Sequence, residues 1–145
     1  MAKVIAVNIS EKKGVIKHPI EKGFFRLNHG LDGDAHAGNW HRMVSFLGQE
    51  SIDKMKVNGI KGLSSGTFAE NITTEGIILY KLPVGTKLKV GEVTFEVTQI
   101  GKECHKGCEI MKLVGDCVMP REGIFAIVLT EGWIKAGDDM SILEG

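Results

Sequence analysis

The sequence predicts a mostly β fold, a barrel or sandwich in which strands far outnumber helices. Two observations predict it. The 19 glycines separate short apolar runs instead of forming one flexible tract, while there are only three prolines. The apolar runs are rich in β-branched residues or alternate with period two, and no strand alternates regularly with a long helix, as a parallel α/β sheet requires.

Residues 3–9 are apolar and β-branched and read as a buried strand. A polar turn follows at 11–14. Residues 30–39 have no apolar period and read as a loop. Residues 43–47 fit a strand. A helix is expected over 49–57, where Ile52, Met55 and Lys56 have helical spacing and Asn58-Gly59 stops it. Residues 66–75 read as a loop pinned by Phe68 and Ile72. Residues 86–90 and 93–98 alternate on either side of Gly91-Glu92, which is a β-hairpin signature. Residues 103–114 are ambiguous, with Cys108, Met111 and Leu113 compatible with a short helix. Residues 123–129 read as a buried strand, and 137–143 as a turn and final strand.

The length of 145 residues and 43% hydrophobic content suit one domain with a continuous core, residues 1–145. Eighteen basic and eighteen acidic residues cancel, so no broad basic field exists for nucleic acid. No apolar run approaches the roughly 18 residues of a membrane span. The N-terminal apolar run is too short for a secretory signal. Three cysteines are an odd number and, without an export signal, predict reduced thiols in a cytoplasmic protein.

Three segments carry residues suited to chemistry. Residues 30–38 place Gly33, Asp34 and His36 in a glycine-rich turn, with His41 and Arg42 just beyond. Such turns let a ligand approach the backbone and direct N–H groups at an anion. Arg42 can fork onto phosphate or carboxylate. Asp and Gly are also ordinary turn residues, and the spacing after Asp32-Gly33-Asp34 does not continue as a calcium loop. In the second segment, Glu70 and Asn71 sit beside the apolar Phe68 and Ile72 and must find partners, which favours a role in bracing loops. The third is the cysteine cluster. Cys104 follows a strand end, with Lys102, His105 and Lys106 within two residues, and these cationic neighbours favour thiolate. Cys108 is a possible resolving or second thiol, and Cys117 beside Val118 and Met119 is most simply a core residue. A zinc or iron–sulfur site built from Cys104, Cys108, Cys117 and His105 is the competing reading, although the spacing does not match a Cys-x-x-Cys knuckle.

The motifs occur in a definite order. Gly-Leu-x-Gly-Asp-x-His at 30–36 leads to His41-Arg42, then Phe-Ala-Glu-Asn-Ile-Thr-Thr-Glu-Gly at 68–76 and Leu-Pro-Val-Gly-Thr-Lys-Leu-x-x-Gly at 82–91. Val-Thr-Gln-x-Gly-Lys-x-Cys at 97–104, Gly-Ile-Phe at 123–125 and Ala-Gly-Asp at 136–138 complete the run. This run resembles the MOSC domain, the C-terminal domain of molybdenum cofactor sulfurases, in its small stand-alone bacterial form. The resemblance extends over nearly the whole chain and implies a closed β-barrel of MOSC type with a few short helices.

It also implies a reactive cysteine at Cys104 that either carries sulfur or binds molybdenum, so that the activity is sulfur transfer or molybdenum-dependent reduction. The molybdenum cofactor (molybdopterin) is the implied ligand, with Gly33, Asp34, His36, Arg42 and Lys102 around its anionic end and Glu70 and Asn71 in support. Implied partners are a cysteine desulfurase or a molybdenum cofactor biosynthesis protein. Pyridoxal phosphate enters only through such a partner, since no lysine motif for it is present. Two alternatives stand beside this reading: a non-catalytic module that binds or chaperones the cofactor, and a small structural metal domain.

Overall fold

The structure, a computed structural model, describes residues 2–12, 16–57, 65–101 and 122–143. Its main sheet runs β11 (Asp139–Leu143), β7 (Lys87–Val90), β8 (Val93–Ile100), β9 (Ile124–Thr130), β5 (Val44–Gly48), β6 (Ile72–Glu75), β1 (Ala2–Ile9) and β2 (His18–Ile20). A further pairing of β11 with β1 closes seven of these strands into a barrel, so their edges are paired and only β2 extends outside the ring. A second sheet of β10 (Gly132–Lys135), β3 (Lys22–Arg26) and β4 (Gly30–Leu31) lies beside it.

Alternation decides which side chains fill the barrel. In the β7–β8 hairpin, Leu88, Val90, Val93, Phe95 and Val97 are fully buried while their neighbours point outward. Phe95 sits at the centre, edge-on to Phe46 at 5.1 Å and to Phe25 at 5.7 Å between ring centroids. This geometry suits aromatic quadrupoles and links the barrel wall to the second sheet. Burying each such ring stabilises the fold by roughly 1.5–3 kcal/mol.

The expected strands at 3–9, 43–47, 86–90, 93–98, 123–129 and 137–143 all have counterparts within a residue or two. The expected helix is α1 (Gln49–Val57), with Ile52 and Met55 buried and Lys56 exposed. Lys54 and Lys56 in its last turn and Glu50 in its first complement the helix dipole. The helix lies between β5 and β6, which form the one parallel pair among the described residues.

Two expectations need correction. The segment expected as a loop over 66–75 ends in β6, whose Ile72, Thr73 and Thr74 are buried. Its two threonines conceal the apolar signal: the buried Thr73 hydroxyl accepts from the Asn8 amide and donates to Glu70, and Thr74 is buried beside it. The loop expected over 30–39 begins with Gly30 and Leu31 paired to β3 as β4. The ambiguous segment 103–114 lies outside the described residues. Among the described residues no helix is long and apolar enough to cross a membrane.

Candidate functional site

Strand β1 delivers Ser10 to one end of the barrel, and the chain returns with Lys17 immediately before β2. Lys17 is 1% exposed, an unusual position for an ammonium group. It survives there because it is paired. Its Nζ lies 2.7 Å from Asp34 Oδ1, 3.0 Å from Ser10 Oγ and 3.0 Å from His36 Nδ1.

Asp34 is the hub of the loop. Its Oδ1 also accepts from the Ser10 N–H at 3.1 Å, and its Oδ2 accepts from the His36 N–H at 3.1 Å. The Ala35 N–H donates to the Ser10 carbonyl at 2.8 Å, so backbone and side chain both fasten the turn to the end of β1. Burial alone would raise the Asp34 carboxyl, but the Lys17 charge and the hydrogen bonds from Lys17 and Ser10 outweigh it and hold the group below the usual carboxylate range. Gly33, at φ +88°, supplies the backbone conformation that the turn needs one residue earlier.

The loop continues to Arg42. The Trp40 indole N–H donates to the His36 carbonyl at 3.0 Å. The Arg42 guanidinium stacks 4.9 Å from the Trp40 ring centroid and 5.8 Å from that of Phe125. Its Nε is buried and has no hydrogen-bond acceptor among the described residues. A buried donor of this kind is costly unless something supplies an acceptor.

Strand β8 meets this loop. Its register shifts between Val97 and Gln99, a bulge that turns Thr98 toward the carbonyls of His41 and Phe125. Three residues on, the Gly101 N–H pairs with the Gly123 carbonyl at 2.7 Å. The strand that leads to Cys104 therefore passes alongside residues 41 and 125. Cys104, Cys108, Cys117 and Lys102 themselves lie outside the described residues. Among the described residues no group of three His, Cys, Asp or Glu side chains is placed to hold a metal.

Glu70 and Asn71 lie beneath the site. Asn71 Oδ1 accepts from the Ser45 N–H at 3.0 Å and the Ser45 hydroxyl at 3.2 Å. Glu70 Oε2 accepts from the Gly66 N–H at 3.1 Å and the Thr73 hydroxyl at 2.7 Å. Full burial pushes the Glu70 carboxyl up, and the two hydrogen bonds only partly offset that. The Gly66 carbonyl in turn accepts from the Lys17 N–H at 2.8 Å. An added Cβ on Gly66, which has φ +88°, would lie 2.2 Å from the Lys17 carbonyl oxygen, so only glycine permits this approach. Glu70 thus fixes the turn that fixes Lys17.

The structure brings Gly33, Asp34, His36 and Arg42 into one loop and ties Glu70 and Asn71 to the strands below it. Sequence reading missed Lys17 and Ser10. The available signal was weak: a single lysine after Val15-Ile16 and two residues before Pro19 reads as a surface residue.

The closed barrel with a polar, ion-paired loop at one end defines a class of small β-barrel domain. The chain matches the model of the MOSC domain over residues 32–141 and belongs to that family. The family is linked to molybdenum cofactor-related proteins. Among solved structures, the YuaD protein from Bacillus subtilis is similar, at 17% identity and a TM-score of 0.79, covering 97% of this chain and 94% of YuaD. YiiM from Geobacillus stearothermophilus is similar at 18% identity and a TM-score of 0.78, covering 99% of this chain and 76% of YiiM. YiiM from Escherichia coli is similar at 16% identity and a TM-score of 0.74, covering 100% of this chain and 71% of that one. At these identities the likeness concerns the fold alone. No curated protein matches the chain.

Proposed function

We propose that this MOSC domain handles the molybdenum cofactor, receiving the cofactor's anionic end at the loop from Gly33 to Arg42 and acting through the thiol of Cys104. The observation that carries the reading is the buried Arg42 Nε, which lacks an acceptor among the described residues, beside the strand that leads to Cys104. That donor, with the glycine turn, fits an oxyanion such as the cofactor's phosphate. Lys102 joins this set from the sequence. When bound, the cofactor supplies oxygen- or sulfur-atom transfer at molybdenum, with Cys104 as the thiolate ligand.

As a sulfur carrier, Cys104 takes sulfur from a cysteine desulfurase, the partner that holds pyridoxal phosphate. The Cys104 thiolate attacks the terminal sulfur of the partner's persulfide. A new S–S bond forms on Cys104 as the old one breaks, and the partner's thiolate leaves. The Cys108 thiolate then resolves the persulfide by attacking the Cys104 sulfur, so that a Cys104–Cys108 disulfide forms, the S–S bond to the outer sulfur breaks and that sulfur leaves as hydrosulfide. The proposed setting is the cytoplasm, where thiols stay reduced.

The test is intact mass spectrometry after incubation with a cysteine desulfurase and free cysteine. The expected result is a gain of one sulfur that maps to Cys104 and is lost in Cys104→Ser. Cofactor binding is followed in parallel by co-elution of molybdopterin, and Arg42→Gln is expected to weaken it about ten- to hundredfold, as for a lost charged hydrogen bond. Cofactor binding with no sulfur gain refutes the carrier and leaves a binding module. Failure of both, with stoichiometric zinc, favours a structural metal domain.

A further inference from the structure

Among the described residues, Glu70 is a fully buried carboxyl that no cation neutralises. Its Oε2 takes two hydrogens, from the Gly66 N–H at 3.1 Å and the Thr73 hydroxyl at 2.7 Å. Its Oε1 is sealed and has no hydrogen-bond donor. Asn8 shares the cluster: its Nδ2 donates to the Glu70 carbonyl at 3.1 Å and to Thr73 Oγ1 at 3.0 Å, while its Oδ1 is buried without a donor. Two sealed acceptors without donors mark a cluster short of one hydrogen. A proton on Oε1 makes the carboxyl neutral and turns that oxygen into a donor. Burial keeps the carboxyl above its usual range, outweighing the Thr73 hydroxyl and the N–H groups of Gly66, Phe68 and Glu70, which favour the anion. The elements around it bring no compensating charge: β1 presents Asn8, β5 presents Ser45 to Asn71, and β6 presents Thr73. Lys17 is the nearest ammonium along the chain of contacts, and it lies 2.7 Å from Asp34.

The turn that carries Glu70 is strained. Ala69 has φ +64°, and a non-glycine residue in that region is held there only by its surroundings. Glu70 supplies the hold through the Gly66 N–H, and the Gly66 carbonyl accepts from the Ala69 N–H at 3.0 Å and the Lys17 N–H at 2.8 Å. Phe68, Glu70 and Asn71 are 1%, 0% and 1% exposed, so water reaches Oε1 only if this turn moves. We infer that Glu70 is a proton-controlled latch: protonated, it keeps the turn over residues 66–70 closed on Lys17, and ionised, it lets the turn open to water. An unpaired charge is far too costly to stay sealed, and opening the turn both hydrates it and relieves Ala69. The proton passes to the water that enters. The consequence for binding rests on reading the Gly33–Arg42 loop as the ligand site. Asp34 is fastened to Lys17, so the affinity of that loop for an anion follows the Glu70 proton and falls as pH rises.

The test is amide hydrogen exchange on the full chain, which needs no ligand. The internal reference is the amide of the fully buried Val97, which donates to the Thr86 carbonyl at 2.9 Å. Between about pH 5 and about pH 8, the Lys17 amide is expected to lose at least about tenfold more protection than the Val97 amide. In Glu70→Gln, which stays neutral and keeps a donor, the ratio of the two is expected to stay constant. Equal losses at Lys17 and Val97 report global opening and overturn the latch. A Glu70 carboxyl carbon that titrates together with the exposed glutamates in carbon-13 NMR also overturns it, even if Glu70→Gln does not fold. Sulfate, whose charge is constant over this range, probes the loop. Its affinity is expected to fall at least about tenfold more in the unsubstituted protein than in Glu70→Gln; Asp34 and His36 are present in both, so their effects cancel. Equal falls while the Lys17 amide opens overturn the coupling to the loop. Opening without sulfate binding in either protein leaves the latch standing and removes the ligand reading of the loop instead.

Discussion

Replacing Asp34 by asparagine removes the counter-charge of Lys17 while keeping the side-chain volume. The two side chains are 1% and 0% exposed and 2.7 Å apart. The amide oxygen of the new side chain can still accept from the Ser10 N–H and from Lys17. Its amide nitrogen then faces the His36 N–H, donor against donor, and the buried Lys17 loses its 2.7 Å ion pair. Breaking a buried pair from one side costs about 3–5 kcal/mol. For a domain near this size that is a fall in Tm of roughly 6–20 °C. The exposed pair Arg26–Asp32, at 3.3 Å with side chains 52% and 50% exposed, is the internal control. Asp32→Asn is expected to change stability by less than about 1 kcal/mol. Urea unfolding at pH 7 gives both values, provided the m-values match. The double change Lys17→Met with Asp34→Leu is expected to recover most of the loss, since an apolar replacement of a buried pair is often neutral. An Asp34→Asn protein within about 1 kcal/mol of the original, at an equal m-value, refutes the buried pair.

Two further predictions concern the scaffold under the loop. Burial raises the Glu70 carboxyl above its unfolded value, so its stabilising contribution is complete below about pH 4.3 and is lost as pH rises through the folded value. Urea unfolding across pH 4–8 should therefore show the stability of the unsubstituted protein falling relative to Glu70→Gln, by up to about 1.4 kcal/mol per pH unit in that window; a constant difference counts against a neutral buried acid. Asp34 has the opposite sign, stabilising above about pH 3.9 and failing as pH drops through its lowered value. Gly66→Ala forces a Cβ against the Lys17 carbonyl and a residue into φ +88°, and is expected to cost more than the roughly 1–3 kcal/mol of backbone strain alone. Thermal unfolding that leaves Gly66→Ala unchanged contradicts the close approach.

The β class, the β7–β8 hairpin, the extent of α1 and the loop that holds Asp34 and His36 are legible in the linear order of residues. These rest on local signals: period-two alternation, β-branched runs and glycine turns act within a few residues and need no partner to be read. Closure of the sheet is visible in three dimensions alone, because the β1–β11 pairing joins Lys3 to Asp139 across nearly the whole chain. The same holds for Ile72–Glu75, whose backbone pairs with β1 on one side and β5 on the other although two buried threonines hide the strand in the sequence. Lys17 is the sharpest instance. Alone it is a surface lysine, and it becomes a buried charge only because Ser10, Asp34 and His36 converge on it from two other segments. A pairing energy depends on distance through space, and the linear order of residues does not contain that distance.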